Sequence, residues 1–318
     1  MNNRKTSLRG VLMLLLTAMI WGSAFVAQSI GMESIGAFTF NGIRTLLGAA
    51  FLLPFILIHN HRTTRSMDAE QLAAWKQRNR RTWIVGAILG VIFCVAGNVQ
   101  QFAFHYSTPG KIAFISSFYM FFVPLFGLVL RKRVSWITWL CVLGGCAGLY
   151  FLCVDPAELG VFNKGDVLSL IAAMVFAVHI LFIERFAQRL DGVKISFVQL
   201  VVSGTISCTL MFLTESPQIG SILTAALPLM YAGFLSCGIA YTFQIVGQKY
   251  TEATIASLLM CLESVFGALS SALVLHERLS GREILGCAIM FVSIIISQVF
   301  GVRCEPKKKD EAAGEERK

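Results

Sequence analysis

The sequence is poor in charged residues and lacks the motifs of common enzyme classes. Asp, Glu, Lys and Arg make up 14% of its 318 residues, whereas a soluble domain carries about 25%. It contains no G-x-x-x-x-G-K-[ST], no H-E-x-x-H and no G-x-S-x-G, so nucleotide-driven, zinc-protease and serine-hydrolase chemistry are not indicated. No two carboxylates are placed to face a common cavity. A catalytic protein is therefore disfavoured.

Metal and redox chemistry also lack support. The chain has nine cysteines but no C-x-x-C pair, which argues against a zinc site or a redox motif. Almost all of the cysteines lie in apolar stretches, where free cysteine behaves as a small packed hydrophobe. We expect no metal and no cofactor.

What the chain has in excess is apolar surface. Hydrophobic residues make up 56%, and the mean hydropathy is +0.70, which is more than one globular core can hide. The net charge of +9 is spread between apolar runs, so it indicates membrane topology rather than nucleic-acid binding. The first apolar run is predicted to be a retained helix and no cleaved leader, because Ala18–Gly22 is echoed at Ala173–Ala177.

The predicted fold class is an all-α membrane protein. A spanning helix needs about 20 mostly apolar residues, and ten segments qualify. They are 9–30, 37–58, 83–105, 110–130, 135–154, 165–186, 194–214, 227–248, 252–275 and 281–302. Pro124 lies inside the fourth span and predicts a bend there. The spacings Gly86/Gly90 and Gly144/Gly148 predict close helix contacts.

Loop charges predict the orientation. With a cytoplasmic N-terminus, most of the 27 lysines and arginines fall in inner segments. The positive-inside rule then predicts that both termini face the cytoplasm. The expected location of the protein is the cell (inner) membrane.

Internal similarity predicts ten transmembrane helices arranged as two inverted five-helix repeats. Residues 9–50 align with 164–205, and 94–105 align with 237–248. Five spans per half make the second half enter the membrane from the opposite side. The predicted first repeat is 1–158, with a cytoplasmic linker at 59–82, and the second is 159–303. A disordered cytoplasmic tail is predicted at 304–318, where charge is dense.

Polar side chains form one helical stripe in each half. The two stripes keep the same spacing and consist of Cys94, Asn98, Gln101 and His105, and of Cys237, Tyr241, Gln244 and Gln248. Amides facing lipid would be unsatisfied, so the stripes must meet protein or water. One interpretation is interhelical hydrogen bonding. The other makes Asn98, Gln101, Tyr241 and Gln244 a substrate site, with Trp21, Phe118 and Phe176 shaping its cavity.

Four ionisable residues within the spans are candidates for coupling or gating. Arg44 is costly in lipid but could instead satisfy carbonyls or lipid phosphate near a helix end. Lys111 could guard the outer mouth of the cavity or extend to the interface. His179 could relay a proton or simply pack in the core. Glu263, the single mid-span carboxylate, could hold a proton, a buried cation or a cationic substrate.

Several strings resemble the drug/metabolite transporter superfamily, in particular its EamA-like family. They are AMIWGSAFVAQ at 18–28, FTFNGIRTLLGAAFLL at 38–53, STPGKIAFISSFYMFFVPLFG at 107–127 and ASLLMCLESVFGALSSALVLHERLSGREILGCAIMF at 256–291. Two positions differ from the family pattern: Ser264 where proline is common, and Arg131–Arg133 where many members have Gly-Glu. The resemblance implies ten helices around a central cavity, and peripheral fifth and tenth helices able to form a homodimer.

The leading hypothesis is a secondary transporter that works by alternating access. Its substrate would be a small polar or zwitterionic, amino-acid-like metabolite, exported across the cytoplasmic membrane. The alternatives are an intramembrane enzyme on lipid-linked substrates and a membrane scaffold that transports nothing. The expected partners are the small-molecule substrate and the lipid bilayer, with no nucleic acid.

Overall fold

The computed structural model describes residues 7–107, 109–132, 134–153, 163–274 and 280–300. Within these ranges the chain is helical and contains no strand. The helices are α1 (Leu8–Met32), α2 (Ala37–Arg65), α3 (Ala69–Ala103), α4 (Pro109–Ser116), α5 (Tyr119–Val129), α6 (Trp136–Cys153), α7 (Lys164–Phe186), α8 (Gly192–Thr214), α9 (Ile219–Thr224), α10 (Ala226–Met230), α11 (Tyr241–Gly247), α12 (Ala253–Met260), α13 (Glu263–Val274) and α14 (Gly281–Phe300). The predicted tail 304–318 and the repeat boundary at 158 lie outside the described residues.

Eight segments of the described chain are long and apolar enough to cross a membrane. They are the helices α1, α2, α3, α7 and α8, and the composite segments Lys111–Val129, Ala226–Gly247 and Ala253–Ser270. The fifth predicted span is a shorter apolar helix, Trp136–Leu152, and the tenth corresponds to α14. Many large apolar side chains on these helices are exposed, as expected where lipid is the solvent. The chain is a multi-pass membrane protein.

Contacts between helix ends define two ends of the bundle. At the first, which we name the basic end, the start of α1 bonds to Tyr250 O through Ser7 N at 3.2 Å. There Lys249 donates to Leu190 O, and Lys194 donates to Asn79 Oδ1 at 2.7 Å. The opposite end joins α8 to α2 through Glu215.

The linker predicted at 59–82 continues the two helices that flank it. α2 runs on to Arg65, and α3 begins at Ala69 after an Asp68–Gln71 capping box, which satisfies the first free N–H groups of α3. Lys194 of α8 holds this extension of α3 by lying 5.0 Å from the Trp75 ring centroid.

Small residues bring the long helices close together, as the glycine spacings predict. A Cβ on Gly90 would lie 2.7 Å from Cβ of Val202 in α8, and one on Gly148 would lie 2.6 Å from Cγ of Met290 in α14. Neither position has room for a side chain. The glycines therefore let α3 approach α8, and α6 approach α14, more closely than larger residues would allow. The predicted close contacts at these glycines are confirmed.

Two spanning segments are interrupted near their middle. Between α4 and α5, Phe118 N bonds to Ile115 O at 3.2 Å and Met120 N to Ser117 O at 3.1 Å. Between α12 and α13, Leu262 N bonds to Leu259 O at 3.3 Å. These three-residue spacings replace the four-residue spacing of an α-helix.

The bend predicted at Pro124 stays a prediction, and the break in this span lies at another position. α5 is continuous from Tyr119 through Pro124, and the interruption lies earlier, at Ser117 and Phe118. Ser117 Oγ and Ser264 Oγ are 3.1 Å apart, so the two interruptions face each other.

Candidate functional site

A buried pocket lies where α1, α2, α3, α5, α7 and the last two composite segments meet. Its cavity volume is about 40 Å³. Its aromatic and apolar lining consists of Trp21, Phe25, Tyr119, Phe176, Ile180, Tyr241 and Met260. Its polar lining consists of Gln28, Arg44, Gln100, Ser236, Gln244 and Glu263.

Glu263 is the acidic side chain of the pocket. It is the first residue of α13, directly after the interruption, and is 5% exposed. Its Oε1 accepts hydrogen bonds from Tyr119 Oη at 3.0 Å and, more weakly, from Ser117 Oγ at 3.5 Å. The two interrupted segments therefore place a carboxylate in the pocket and hold it with hydroxyl groups.

Arg44 is the basic side chain of the pocket. It lies about two turns into α2 and is 3% exposed, so it does not extend to a lipid headgroup. Its Nη1 donates to Gln28 Oε1 at 2.7 Å, and its guanidinium carbon lies 5.4 Å from the centroid of the Phe40 ring. A neutral amide and a ring hold this cation, and no described carboxylate lies within ion-pair distance of it.

Aromatic rings form one wall of the pocket. The ring centroids of Trp21 and Tyr241 are 4.7 Å apart, and those of Tyr241 and Phe93 are 4.5 Å apart in an edge-to-face contact. Tyr241 follows a π-helical segment, Tyr231–Ala240. The wider turns of this segment change the side of the helix on which the following residues lie. Tyr241 and Gln244 both line the pocket.

The first predicted stripe lies elsewhere. Asn98 is fully engaged between helices: its Nδ2 donates to Cys94 O and to Ser207 Oγ, each at 2.8 Å, and its Oδ1 accepts from Asn41 Nδ2 at 3.0 Å. Gln101 is 0% exposed and is also absent from the lining. Asn98 thus joins α3 to α2 and α8, whereas both amide atoms of Gln101 lack a described partner, and a binding role for either residue stays a prediction.

Three further predicted residues, Phe118, His179 and Lys111, lie outside the pocket. Phe118 packs edge-to-face on Phe114 at 5.2 Å. His179 is 0% exposed and its Nε2 lies 2.8 Å from Gln199 Oε1, so it has the packed environment given as its alternative.

Lys111 lies at the opposite end of the bundle, also away from the pocket. Its ammonium pairs with the carboxylate of Asp166 at 2.8 Å. Asp166 is 0% exposed, so this cation does not simply extend into the interface. It joins the start of α4 to the start of α7.

Sequence reasoning missed several residues of the lining. Gln100 lies next to the predicted Gln101 but turns towards the pocket. Tyr119 could have been found as the hydroxyl nearest the interruption of its span. Gln28 carried a usable signal, since it lies two helical turns from Trp21 on the same face of α1. Ser236 had none, because it lies in the π-helical segment.

The pocket offers binding groups and no recognisable catalytic set. Within the described ranges, no three His, Cys, Asp or Glu side chains are grouped to hold a metal ion. The pocket combines a cation, an anion, amides and aromatic rings. This combination can bind a small molecule that has both polar and apolar parts.

The sequence profile of the EamA-like transporter family matches residues 8–154 and 163–298. The chain belongs to this family. The chain is also similar to an uncharacterized transporter of Archaeoglobus fulgidus, with 28% identity over 285 residues that cover 89% of this chain and 83% of the relative.

Two further relatives of this EamA-like protein carry similar names. The uncharacterized transporter YoaV of Bacillus subtilis is 21% identical and covers 88% of this chain and 93% of its own. The uncharacterized inner membrane transporter YedA of Escherichia coli is 26% identical over 69% of this chain and 65% of its own. A solved crystal structure superposes with a TM-score of 0.74 at 18% identity, covering 93% of this chain and 99% of that one. That likeness shows the shared fold alone.

Proposed function

We propose that this EamA-like protein is a secondary transporter that exports a small polar or zwitterionic, amino-acid-like metabolite across the cytoplasmic membrane. The observation that carries the proposal is the buried pocket, which places Arg44 and Glu263 among aromatic rings inside the helix bundle. Charged side chains within a membrane span are costly and are retained where a substrate or an ion passes. A scaffold would have no need of them.

Inverted repeats of five spans each are part of the proposal. The family profile matches two stretches of similar length. Each half contributes one interrupted segment, α4–α5 and α12–α13, and the two interruptions meet at Ser117 and Ser264. Discontinuous helices at a repeat interface are the usual setting of a transporter site. We count α6 and α14, which pack on each other, as the fifth and tenth spans and as the candidate homodimer face.

The proposed orientation places the basic end in the cytoplasm, with both termini. Most of the lysines and arginines between spans lie at this end. Cytoplasmic loops carry such an excess because positive segments are translocated poorly.

Two ion pairs support alternating access. Lys111 pairs with Asp166 at the opposite end, and Lys132 pairs with Glu184 at the basic end. Both pairs join the α4–α5 segment to α7, and the interruption lies between them. Releasing one pair while the other holds would open the pocket to one side at a time.

Uptake by proteoliposomes that contain the purified full-length protein tests the proposal. We expect Trp21→Ala and Tyr241→Ala to lower uptake of radiolabelled amino acids at least tenfold, because both rings line the pocket. Gln101→Leu is the matched control: this residue is buried but outside the pocket, so uptake should stay within about twofold. Equal uptake by all variants, or loss through Gln101→Leu alone, would contradict the proposal.

A further inference from the structure

Three buried polar atoms of the pocket lack a hydrogen-bond partner among the described residues. Arg44 Nε and Trp21 Nε1 are buried donors with no hydrogen-bond partner among the described residues. Gln244 Oε1 is a buried acceptor with none. Glu263 accepts hydrogen bonds from two hydroxyl groups, and no described basic nitrogen lies within ion-pair distance of it.

Arg44 and Glu263 line one pocket without neutralising each other. Each is less than one-tenth exposed, and a buried charge is costly unless an opposite charge or several hydrogen bonds compensate it. Arg44 has one amide acceptor, from Gln28, although a guanidinium has five N–H donors. No described side chain supplies an anion beside Arg44 or a cation beside Glu263.

A structural role for the two charges fits these contacts less well. A structural arginine in a membrane core pairs with a carboxylate or with several carbonyls, and Arg44 has neither in the described residues. Two residues of opposite charge that served only packing would be most stable in direct contact. Instead, both side chains line the same cavity without forming an ion pair.

We propose that Arg44 binds the carboxylate of a zwitterionic substrate and Glu263 binds its ammonium group. This assignment rests on the proposed function and makes these two residues its specificity determinants. The fork of the guanidinium matches a carboxylate, and Trp21 Nε1 supplies a further donor. Gln244 Oε1 supplies an acceptor for the ammonium. The rings of Trp21 and Tyr241 border the space left for an apolar side chain.

Binding of matched probes to the purified full-length protein tests the assignment. The probes are L-alanine, L-leucine and L-phenylalanine, each with its amine analogue lacking the carboxylate and its acid analogue lacking the amine. Affinities come from ligand-induced thermal stabilisation in lipid nanodiscs. For at least one amino acid, we expect the zwitterion to bind at least tenfold more tightly than either analogue, because each charged end makes charge-assisted hydrogen bonds.

The variants should divide the probes in opposite ways. Arg44→Gln should weaken binding of the amino acid and of its acid analogue at least tenfold, and should leave the affinity for the amine analogue within twofold. Glu263→Gln should weaken binding of the amino acid and of its amine analogue, and should leave the affinity for the acid analogue within twofold. The controls are Arg185→Gln and Glu33→Gln, which change exposed charges and should change no affinity. Arg44→Lys and Glu263→Asp keep the charge, and should weaken the same probes less.

The assignment and the proposed function can fail separately. If both glutamine variants weaken all three probes alike, or no zwitterion exceeds its analogues, the assignment is overturned, while uptake by proteoliposomes would leave transport standing. If a glutamine variant does not fold, the variant that keeps the charge, Arg44→Lys or Glu263→Asp, decides. If it weakens binding of all three probes equally, the assignment is overturned. If, of the two analogues, Arg44→Gln weakens binding of the acid alone and Glu263→Gln weakens binding of the amine alone, the assignment is supported even where no uptake is found.

Discussion

Removing the side chain of Asn98 should destabilise the protein without weakening substrate binding. The Asn98 amide joins α3 to α2 through Asn41 and to α8 through Ser207, at 3.0 and 2.8 Å. A third bond, at 2.8 Å, goes to Cys94 O in its own helix. The pocket lining does not include Asn98. We therefore expect Asn98 to act in helix packing.

The magnitude follows from these three bonds. A hydrogen bond contributes about 1 kcal/mol in soluble proteins and about 0.6 kcal/mol on average between membrane helices. Asn98→Ala should therefore lower the free energy of unfolding by about 2–3 kcal/mol, with a small addition for the cavity left behind. The Ser207 contact alone should give a coupling energy of about 0.6–1 kcal/mol in a double-mutant cycle.

The assay is SDS-induced unfolding in mixed micelles, paired with KM for uptake in proteoliposomes. Gln100→Ala is the matched control, because it removes an amide two residues away that lines the pocket. We expect Gln100→Ala to raise KM with little loss of stability, the reverse of Asn98→Ala. Unchanged stability with a raised KM for Asn98→Ala would refute the reasoning and return Asn98 to the substrate site.

Two further predictions concern the ends of the bundle. Glu215 accepts three hydrogen bonds from the first residues of α2, at 2.6 to 2.9 Å, so Glu215→Gln should lower the unfolding free energy by about 1–2 kcal/mol. The exposed Glu33→Gln should not change it, and equal effects would contradict this role. Burial lowers the pKa of Lys249 from its usual value of 10.5, and the nearby Asp191 partly opposes the shift. Because the unfolded chain then binds the proton more tightly, stability should rise as pH increases through the lowered pKa towards about 10.5. Lys249→Met should flatten that rise, which pH-dependent thermal unfolding measures; an unchanged slope would count against it.

The sequence predicted much of the pocket but could not separate it from the packing seams. Trp21, Phe176, Tyr241 and Gln244 all line the cavity, as do Arg44 and Glu263. These residues are large or charged, and such side chains are costly in a lipid-facing or tightly packed position. Whether they bind substrate stays a prediction.

Asn98 and Gln101 show why the remaining site residues could not be predicted. Their spacing identifies a face of α3 that must avoid lipid, and that inference holds. A helical face can avoid lipid either at a cavity or against another helix. The choice depends on how α2 and α8 pack on α3, which spacing within one helix does not contain.

The interruptions at 117–118 and 261–262 were likewise hidden. Proline is the usual signal of a broken helix, but α5 continues through Pro124, and Ser264 occupies the position after Glu263. The contact between Ser117 and Ser264 joins residues far apart in the chain. Local propensity gives no indication of such a pair.

By itself, the sequence determined that this protein spans a membrane, where most of its spans lie and which family it resembles. The first two properties depend on composition and on the transfer of apolar side chains into lipid, which act residue by residue, and the resemblance depends on the order of a few sequence strings. Tertiary structure alone decided which polar face meets the pocket, where two spans break, and that Arg44 and Glu263 share one cavity. Those outcomes depend on packing between helices distant in sequence, so they exist only once the bundle is assembled.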